Sequence, residues 1–253
     1  MPLVLFWACD DKLETNDYRY PLDIGNKWIY SWKVNMFEGS SVDSFSVDSL
    51  ILIDSLSCTR HASVDSIVSL NNMSYYSLSF VDSCTEDSGE NYYNSINYLE
   101  QNEHGLFSVA NSGESHLPAI PKSLKNSYLV LPLGEYFQNY FVLSDSIIFH
   151  SNSEQILKYP LFIGQSWSLI ENFLTKTITG EDWYNYGDIS TNGYRIEYTG
   201  ELANDLDMYD IVGEKGLLYM YRNYGYARLS DSDGTLINIY HSTAELKLIE
   251  INF

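Results

Sequence analysis

Positive charge is what this chain has least of: 14 Lys and Arg stand against 34 Asp and Glu, a formal net charge of −20 over 253 residues. Nucleic-acid affinity rests on basic groups that displace counterions from phosphate, so DNA and RNA are excluded as partners. The same deficit excludes attachment to anionic lipid through a polybasic patch. No stretch stays apolar for the roughly 18 residues that a membrane-spanning helix needs. Cysteine occurs only three times, with neither a C-x-x-C pair nor a Cys/His cluster, which removes structural zinc. The five histidines (His61, His104, His116, His150, His241) are scattered without ligand spacing. P-loop, dinucleotide and G-x-S-x-G fingerprints are missing, so no metal and no cofactor is expected and serine hydrolysis has no motif behind it.

Two acidic patterns look like calcium sites and read better as something else. Val-Asp-Ser occurs at 42–44, 47–49, 64–66 and 81–83, with Ile-Asp-Ser at 53–55, but the intervals are irregular and the loop glycines of a calcium ladder are missing. Solvated strand faces explain them. "DSDGT", Asp231 to Thr235, lacks the distal Glu of an EF-hand loop and reads as a hairpin turn.

What is present is apolar and aromatic: 45% hydrophobic and 15% aromatic residues, with 22 Tyr, suffice for a core burying roughly 70–75% of the unfolded surface. The apolar residues alternate rather than recur at helical spacing. In "DSFSVDSLILID", Phe45, Val47, Ile51 and Ile53 share one face; in "GYRIEY", Tyr194, Ile196 and Tyr198 oppose Arg195 and Glu197. Asn192-Gly193 and Asp233-Gly234 read as hairpin turns. The last stretch reads as strands near 217–222, 226–231, 235–242 and 245–252, with a bulge between Leu248 and Ile249 keeping both halves facing the core. Helix is minor: 135–143 fits a short helix or a strand, and 200–209 a single turn. The expected fold is all-β, a large curved antiparallel meander of about ten or more strands, half-barrel or barrel-like so that few edges stay exposed. Residues 18–253 form one domain on this reading, with a subdomain joint near 113–127 around Pro118 and Pro121.

"YPLDIGNKW", from Tyr20 to Trp28, returns as "YPLFIGQSW", from Tyr159 to Trp167, with Tyr, Pro, Leu, Ile, Gly and Trp in common. Pro21 or Pro160 holds an extended approach, Leu22 or Leu161 tucks inward, Gly25 or Gly164 turns the chain, and Trp28 or Trp167 opens the next strand as a large apolar anchor. The expectation is one strand-opening brace used twice in a single sheet rather than two duplicated domains.

The first residues, "MPLVLFWACDDK", run apolar from Leu3 to Ala8 and stop at Cys9. A small residue before a cysteine after an apolar run resembles the end of a bacterial lipoprotein signal peptide, although Phe6 and Trp7 are bulky and a basic n-region is absent; the alternative is a cytosolic protein whose first strand contains Cys9. On the lipoprotein reading 1–9 is the signal remnant ending at a lipidated Cys9, and 10–17 is a polar leash. Setting Cys9 aside leaves Cys58 and Cys84, either a disulfide or two buried thiols.

With "PLxxGxxW" near the start and again mid-chain, "GLLYMY" at Gly216 to Tyr221 and the closing run "TAELKLIEINF", the chain resembles uncharacterised exported or lipid-anchored bacterial β-sheet proteins. Some of these look like half-barrel periplasmic carriers of lipoproteins and lipids. The resemblance implies an apolar ligand inside the curve and brings no catalytic residues. The function expected is that of a non-enzymatic lipoprotein of the bacterial cell envelope, periplasmic or surface-exposed. Its partners would be the membrane through its lipid and a small apolar ligand, a glycan or an envelope protein. Two rivals stand beside it. Trp183, Tyr184 and Tyr186 in "EDWYNYGD" suit a platform for sugar rings. An envelope hydrolase would need a cleft with convergent polar groups or paired carboxylates.

Overall fold

The computed structural model describes residues 17–39, 51–86, 89–113, 144–170, 174–199, 207–230 and 236–253. Cys9, the leash to Asn16, Phe45 and Val47, residues 114–127 of the expected joint, the 135–143 segment, residues 200–206 and the Asp231–Thr235 turn lie outside them.

Twelve strands run in order: β1 (Lys27–Gly39), β2 (Ile51–Leu70), β3 (Met73–Glu86), β4 (Gly89–Asn102), β5 (Gly105–Gly113), β6 (Ser144–Lys158), β7 (Ser166–Ile170), β8 (Leu174–Tyr186), β9 (Ile189–Thr199), β10 (Tyr209–Gly213), β11 (Gly216–Ser230) and β12 (Leu236–Asn252). They form one sheet ordered β6-β5-β4-β3-β2-β1-β12-β11-β10-β9-β8-β7, antiparallel throughout. Among the described residues there is no helix, and so none long and apolar enough to cross a membrane.

The sheet curls hard without closing. Laid flat at a strand spacing of roughly 4.8 Å, the edges of twelve strands would stand about 50 Å apart. Instead, Trp167 on edge strand β7 donates its indole N–H to the Gln155 carbonyl on edge strand β6 at 3.0 Å. β6 and β7 share no ladder. Side chains and the seven-residue loop Tyr159–Gln165 span the seam.

Alternation sets the core. Trp28, Tyr30, Trp32 and Val34 line the inner face of β1, and their counterparts on the other strands join them in one buried cluster. Trp28 is 1% exposed, and Ile178, Ile196, Leu218 and Leu248 are fully enclosed. Tyr194, Ile196 and Tyr198 face inward as expected. The bulge in β12 is present: Ile29 pairs with Glu250 and Tyr30 with Leu248, which leaves Ile249 as the extra residue.

Several local expectations are corrected. β11 runs unbroken across Gly225, absorbing it in a register shift between Tyr224 and Ala227, and β12 is likewise one strand, so four expected segments are two. Asn192-Gly193 is not a turn; it lies inside β9. A Cβ on Gly193 would meet Ile211 Cγ2 at 2.8 Å and Leu218 Cδ1 at 3.0 Å, so glycine is there for the close approach of the neighbouring layer of side chains. The two-residue turns fall elsewhere, at Asn71-Asn72, Glu103-His104, Gly187-Asp188 and Glu214-Lys215. Both Asn71 and Asn72 have positive φ, 51° and 66°, the tight-turn geometry that asparagine tolerates. Ile51, expected on the core face, starts β2 at 72% exposure.

Cys58 and Cys84 sit opposite one another on β2 and β3 and are joined as a disulfide, 26 positions apart in sequence. Closing a loop of that size restricts the unfolded chain by about 3–4 kcal/mol. The Cys58→Ala/Cys84→Ala double variant is therefore expected to unfold at lower urea, with a loss near that value from the denaturation midpoint. Reducing agent should lower the midpoint of the wild type and leave the variant unchanged.

Candidate functional site

Two regions concentrate polar chemistry in the interior. The first is the pair of echoed segments. In each, a turn ends on a positive-φ glycine, Gly25 (φ 98°) or Gly164 (φ 89°). Asn26 N–H donates to the Asp23 carbonyl and Gln165 N–H to that of Phe162, both at 3.1 Å. Each turn then grips one residue of the strand that pairs with the one it opens, β2 in the first copy and β8 in the second. Gly25 N–H donates to the Val64 carbonyl (2.8 Å) and Val64 N–H to that of Asn26 (3.0 Å); Gly164 donates to Ile178 (2.7 Å) and Ile178 to Gln165 (2.9 Å). Just beyond Val64 and Ile178 the ladders skip one residue, Asp65 or Thr179. The brace thus recurs with its partner strand and a bulge, once at the start of each set of six strands. Leu22, Leu161, Trp28 and Trp167 are all buried.

The copies also meet. Gln101 on β4 accepts from Tyr20 N–H (2.9 Å) and the Tyr159 hydroxyl (2.6 Å) while its amide donates to the Tyr20 carbonyl (3.1 Å). Burial pushes the Tyr159 phenol up to about 12, against the backbone hydrogen bond from Tyr20 and the Arg19 charge, so it remains a donor. Trp28 donates to the Lys215 carbonyl at 2.7 Å, in the β10–β11 turn, and Tyr159 N–H to the His104 carbonyl at 3.0 Å, in the β4–β5 turn. Those turns carry their own echo, Glu103-His104-Gly105-Leu106 and Glu214-Lys215-Gly216-Leu217. Each brace docks on a turn from the other set of six strands.

The second region is a buried ionic cluster with one side chain from each of four adjacent strands: Lys176 (β8), Tyr198 (β9), Asp210 (β10) and Arg222 (β11). Lys176 stands opposite Tyr198, and Asp210 and Arg222 follow diagonally, since Asp210 pairs with Ile196 and Met220. Arg222 Nη1 meets Asp210 Oδ1 at 2.7 Å and its Nη2 donates to the Tyr198 hydroxyl at 2.8 Å, which donates to Asp210 Oδ2 at 2.6 Å. Arg222 also donates to the Tyr209 and Tyr221 carbonyls and lies over the Tyr198 ring. Lys176 Nζ donates to the Ile156 carbonyl on β6 at 3.2 Å, a second side-chain tie across the seam.

Burial raises the Asp210 carboxyl, but the Arg222 and Lys176 charges and the hydrogen bonds from Arg222 and Tyr198 outweigh it and hold the group below the usual carboxylate range. Burial drives Lys176 down, partly opposed by Asp210 and Glu154. Burial drives Tyr198 well up, so it keeps its proton. The acid is ionised and the phenol neutral, each engaged by the other: this is the arrangement of a staple between strands.

Other polar groups are similarly engaged. Arg60 donates from Nε and Nη2 to the two carboxylate oxygens of Asp82 across β2–β3 (2.7 and 2.6 Å) and stacks on Trp32 at 4.0 Å. Ser108 Oγ donates to Asn97 Oδ1 at 2.7 Å, with His150 Nε2 at 3.2 Å. Among the described residues no group of three or more His, Cys, Asp or Glu is placed to hold a metal ion.

The aromatic trio is not brought together. Trp183 is 70% exposed on β8, Tyr184 points to the opposite face and donates to the Leu248 carbonyl on β12 at 2.5 Å, and Tyr186 is half exposed. Sequence reasoning passed over the ionic residues, yet a signal existed. Lys176 interrupts the inward run Leu174–Lys176–Ile178, and Arg222 ends Leu218–Met220–Arg222. A charge in the apolar phase of a strand is costly to bury alone, so it announces a partner.

No protein-family model matches this chain, and no curated protein matches it. Among solved structures, a "putative lipoprotein" from Parabacteroides distasonis matches at 11% identity, over 92% of this chain and 97% of that one, with a TM-score of 0.27. Identity and score at that level transfer neither architecture nor role.

Proposed function

We propose that this protein is a non-enzymatic lipoprotein of a bacterial envelope, acylated at Cys9, which presents its β-sheet domain as a binding or scaffolding module. The observation that carries the reading is the Cys58–Cys84 disulfide. Such bonds persist in oxidising, exported settings, and this one leaves Cys9 as the single cysteine outside it, directly after an apolar run. The interior supports a surface role: at the end where β1 begins, the inward side chains that would line an apolar ligand site are packed against one another. Cells expressing the full chain and fed an alkyne fatty acid should yield a labelled protein, and Cys9→Ser should abolish the label. An unlabelled wild-type chain would remove the anchor from this reading.

A further inference from the structure

We propose that the end of the sheet bearing the two echoed turns is the face this protein lays against a lipid bilayer. The proposal rests on the lipid-anchored reading above. In both turns the residue before the positive-φ glycine is isoleucine, and both side chains point outward: Ile24 is 60% and Ile163 57% exposed, while Leu22 and Leu161 are buried. A turn of this kind needs glycine at its third position and accepts most residues at its second, so the fold itself does not ask for isoleucine there.

Phe162 adjoins Ile163, and Phe253 packs edge-on against Trp28 at 5.5 Å, yet each stays about half exposed. The two turns belong to one surface because their segments are tied. The Tyr18 and Tyr159 rings lie 6.1 Å apart, and the Arg19 guanidinium sits 4.8 Å over the Tyr159 ring. Grouped exposed apolar residues of this sort mark a contact surface.

Charge and reach name the occupant. In a strongly acidic chain, the exposed bases among the described residues are Arg19, Lys27, Lys33, Lys158 and Lys215, and all but Lys33 flank these turns or the Lys215 turn docked on Trp28. Asp17, Asp23, Glu103 and Glu214 are exposed beside them, so this end carries both signs, as a zwitterionic headgroup layer does. Bases next to outward apolar side chains suit an interface where the stems lie along the apolar zone and the charges reach water. Between Cys9 and Asp17 the chain can extend at most about 28 Å. β1 carries the opposite end of the sheet about 40 Å further off. An acyl anchor at Cys9 therefore delivers the turn end to the membrane first.

The test couples a maleimide-bearing phospholipid to Cys9 of the full chain, with Cys58 and Cys84 left bonded, and inserts it into phosphatidylcholine vesicles. Ile163→Trp and Ile24→Trp report on the turns, and Ile51→Trp on the far end. With brominated acyl chains in the vesicles, roughly half of the emission added at 163 and 24 should be quenched and the emission at 51 left intact. Equal quenching at all three positions, or none at any, overturns the proposal. So does a blue shift at 163 that appears without vesicles and grows with protein concentration, which would assign this end to a second copy of the chain. Because the lipid is supplied chemically, this result stands apart from whether cells acylate Cys9.

Discussion

Trp28→Ala is expected to cost about 3–5 kcal/mol, the range for emptying a buried aromatic site. The indole is enclosed at the base of β1, packs on Tyr20 and Phe253, and holds the Lys215 carbonyl. Alanine leaves a cavity and the Lys215 carbonyl without its indole donor, at the point where the first brace docks on the β10–β11 turn. β1 is also a central strand, laddered to β2 and β12, so the damage falls on the middle of the sheet. Urea unfolding followed by circular dichroism should show a midpoint shift of about 1 M or more. Trp183→Ala removes an indole of the same size from an exposed strand face and should stay within about 0.5 kcal/mol of wild type. Equal costs for the two would mean that the inward phase of β1 is wrong.

Asp210→Asn is the second large effect. It leaves Lys176 buried and Arg222 partly buried with their common counter-charge gone, and breaking such a pair by removing one partner costs about 3–5 kcal/mol. Lys176→Met should be close to neutral, because the Asp210–Arg222 pair survives and an apolar chain of similar length replaces a charge that burial disfavours. The asymmetry distinguishes a satisfied staple from a set of independent contacts. It carries a pH signature. The Asp210 carboxyl is held below its unfolded value, so its contribution is complete above the ordinary aspartate range near ~4 and is lost as the pH falls through the lower folded value. Urea midpoints measured from neutral to acidic pH should fall in the wild type below ~4, and the fall should be shallower in Asp210→Asn. Parallel profiles would place the acid sensitivity elsewhere.

Period-two alternation was enough to read the fold class. Trp28–Tyr30–Trp32–Val34 and Tyr194–Ile196–Tyr198 show their faces in the sequence, and the slip at Ile249 betrays its bulge. The echoed braces were legible because each needs a glycine at positive φ and a large anchor two residues into a strand. Strand lengths were not legible. Gly225 looks like punctuation but is carried inside β11, since a long antiparallel ladder can take up an irregular residue as a bulge. Asn192-Gly193 has the composition of a turn, but its glycine answers to Ile211 and Leu218, residues whose approach depends on the tertiary fold. The ionic cluster was hidden for the same reason: Lys176 and Arg222 lie far apart in sequence and become neighbours only once β8 to β11 are in register.

The sheet order has a consequence for how the molecule tolerates truncation. Apart from β1 with β12, every ladder joins strands that follow one another along the chain, so among the described residues this pairing between first and last strands is the one ladder that joins the two runs of six, the seam and the braces adding side-chain and turn contacts. In most meanders the terminal strands form the borders and can be trimmed with local damage. Here the first and last strands lie at the midline while the border strands β6 and β7 follow one another mid-chain. Deleting the final strand would therefore remove the ladder at the centre of the architecture rather than at its border, and joining Phe253 to Asp17 while opening the chain between β6 and β7 would give the same sheet as a plain up-and-down sequence.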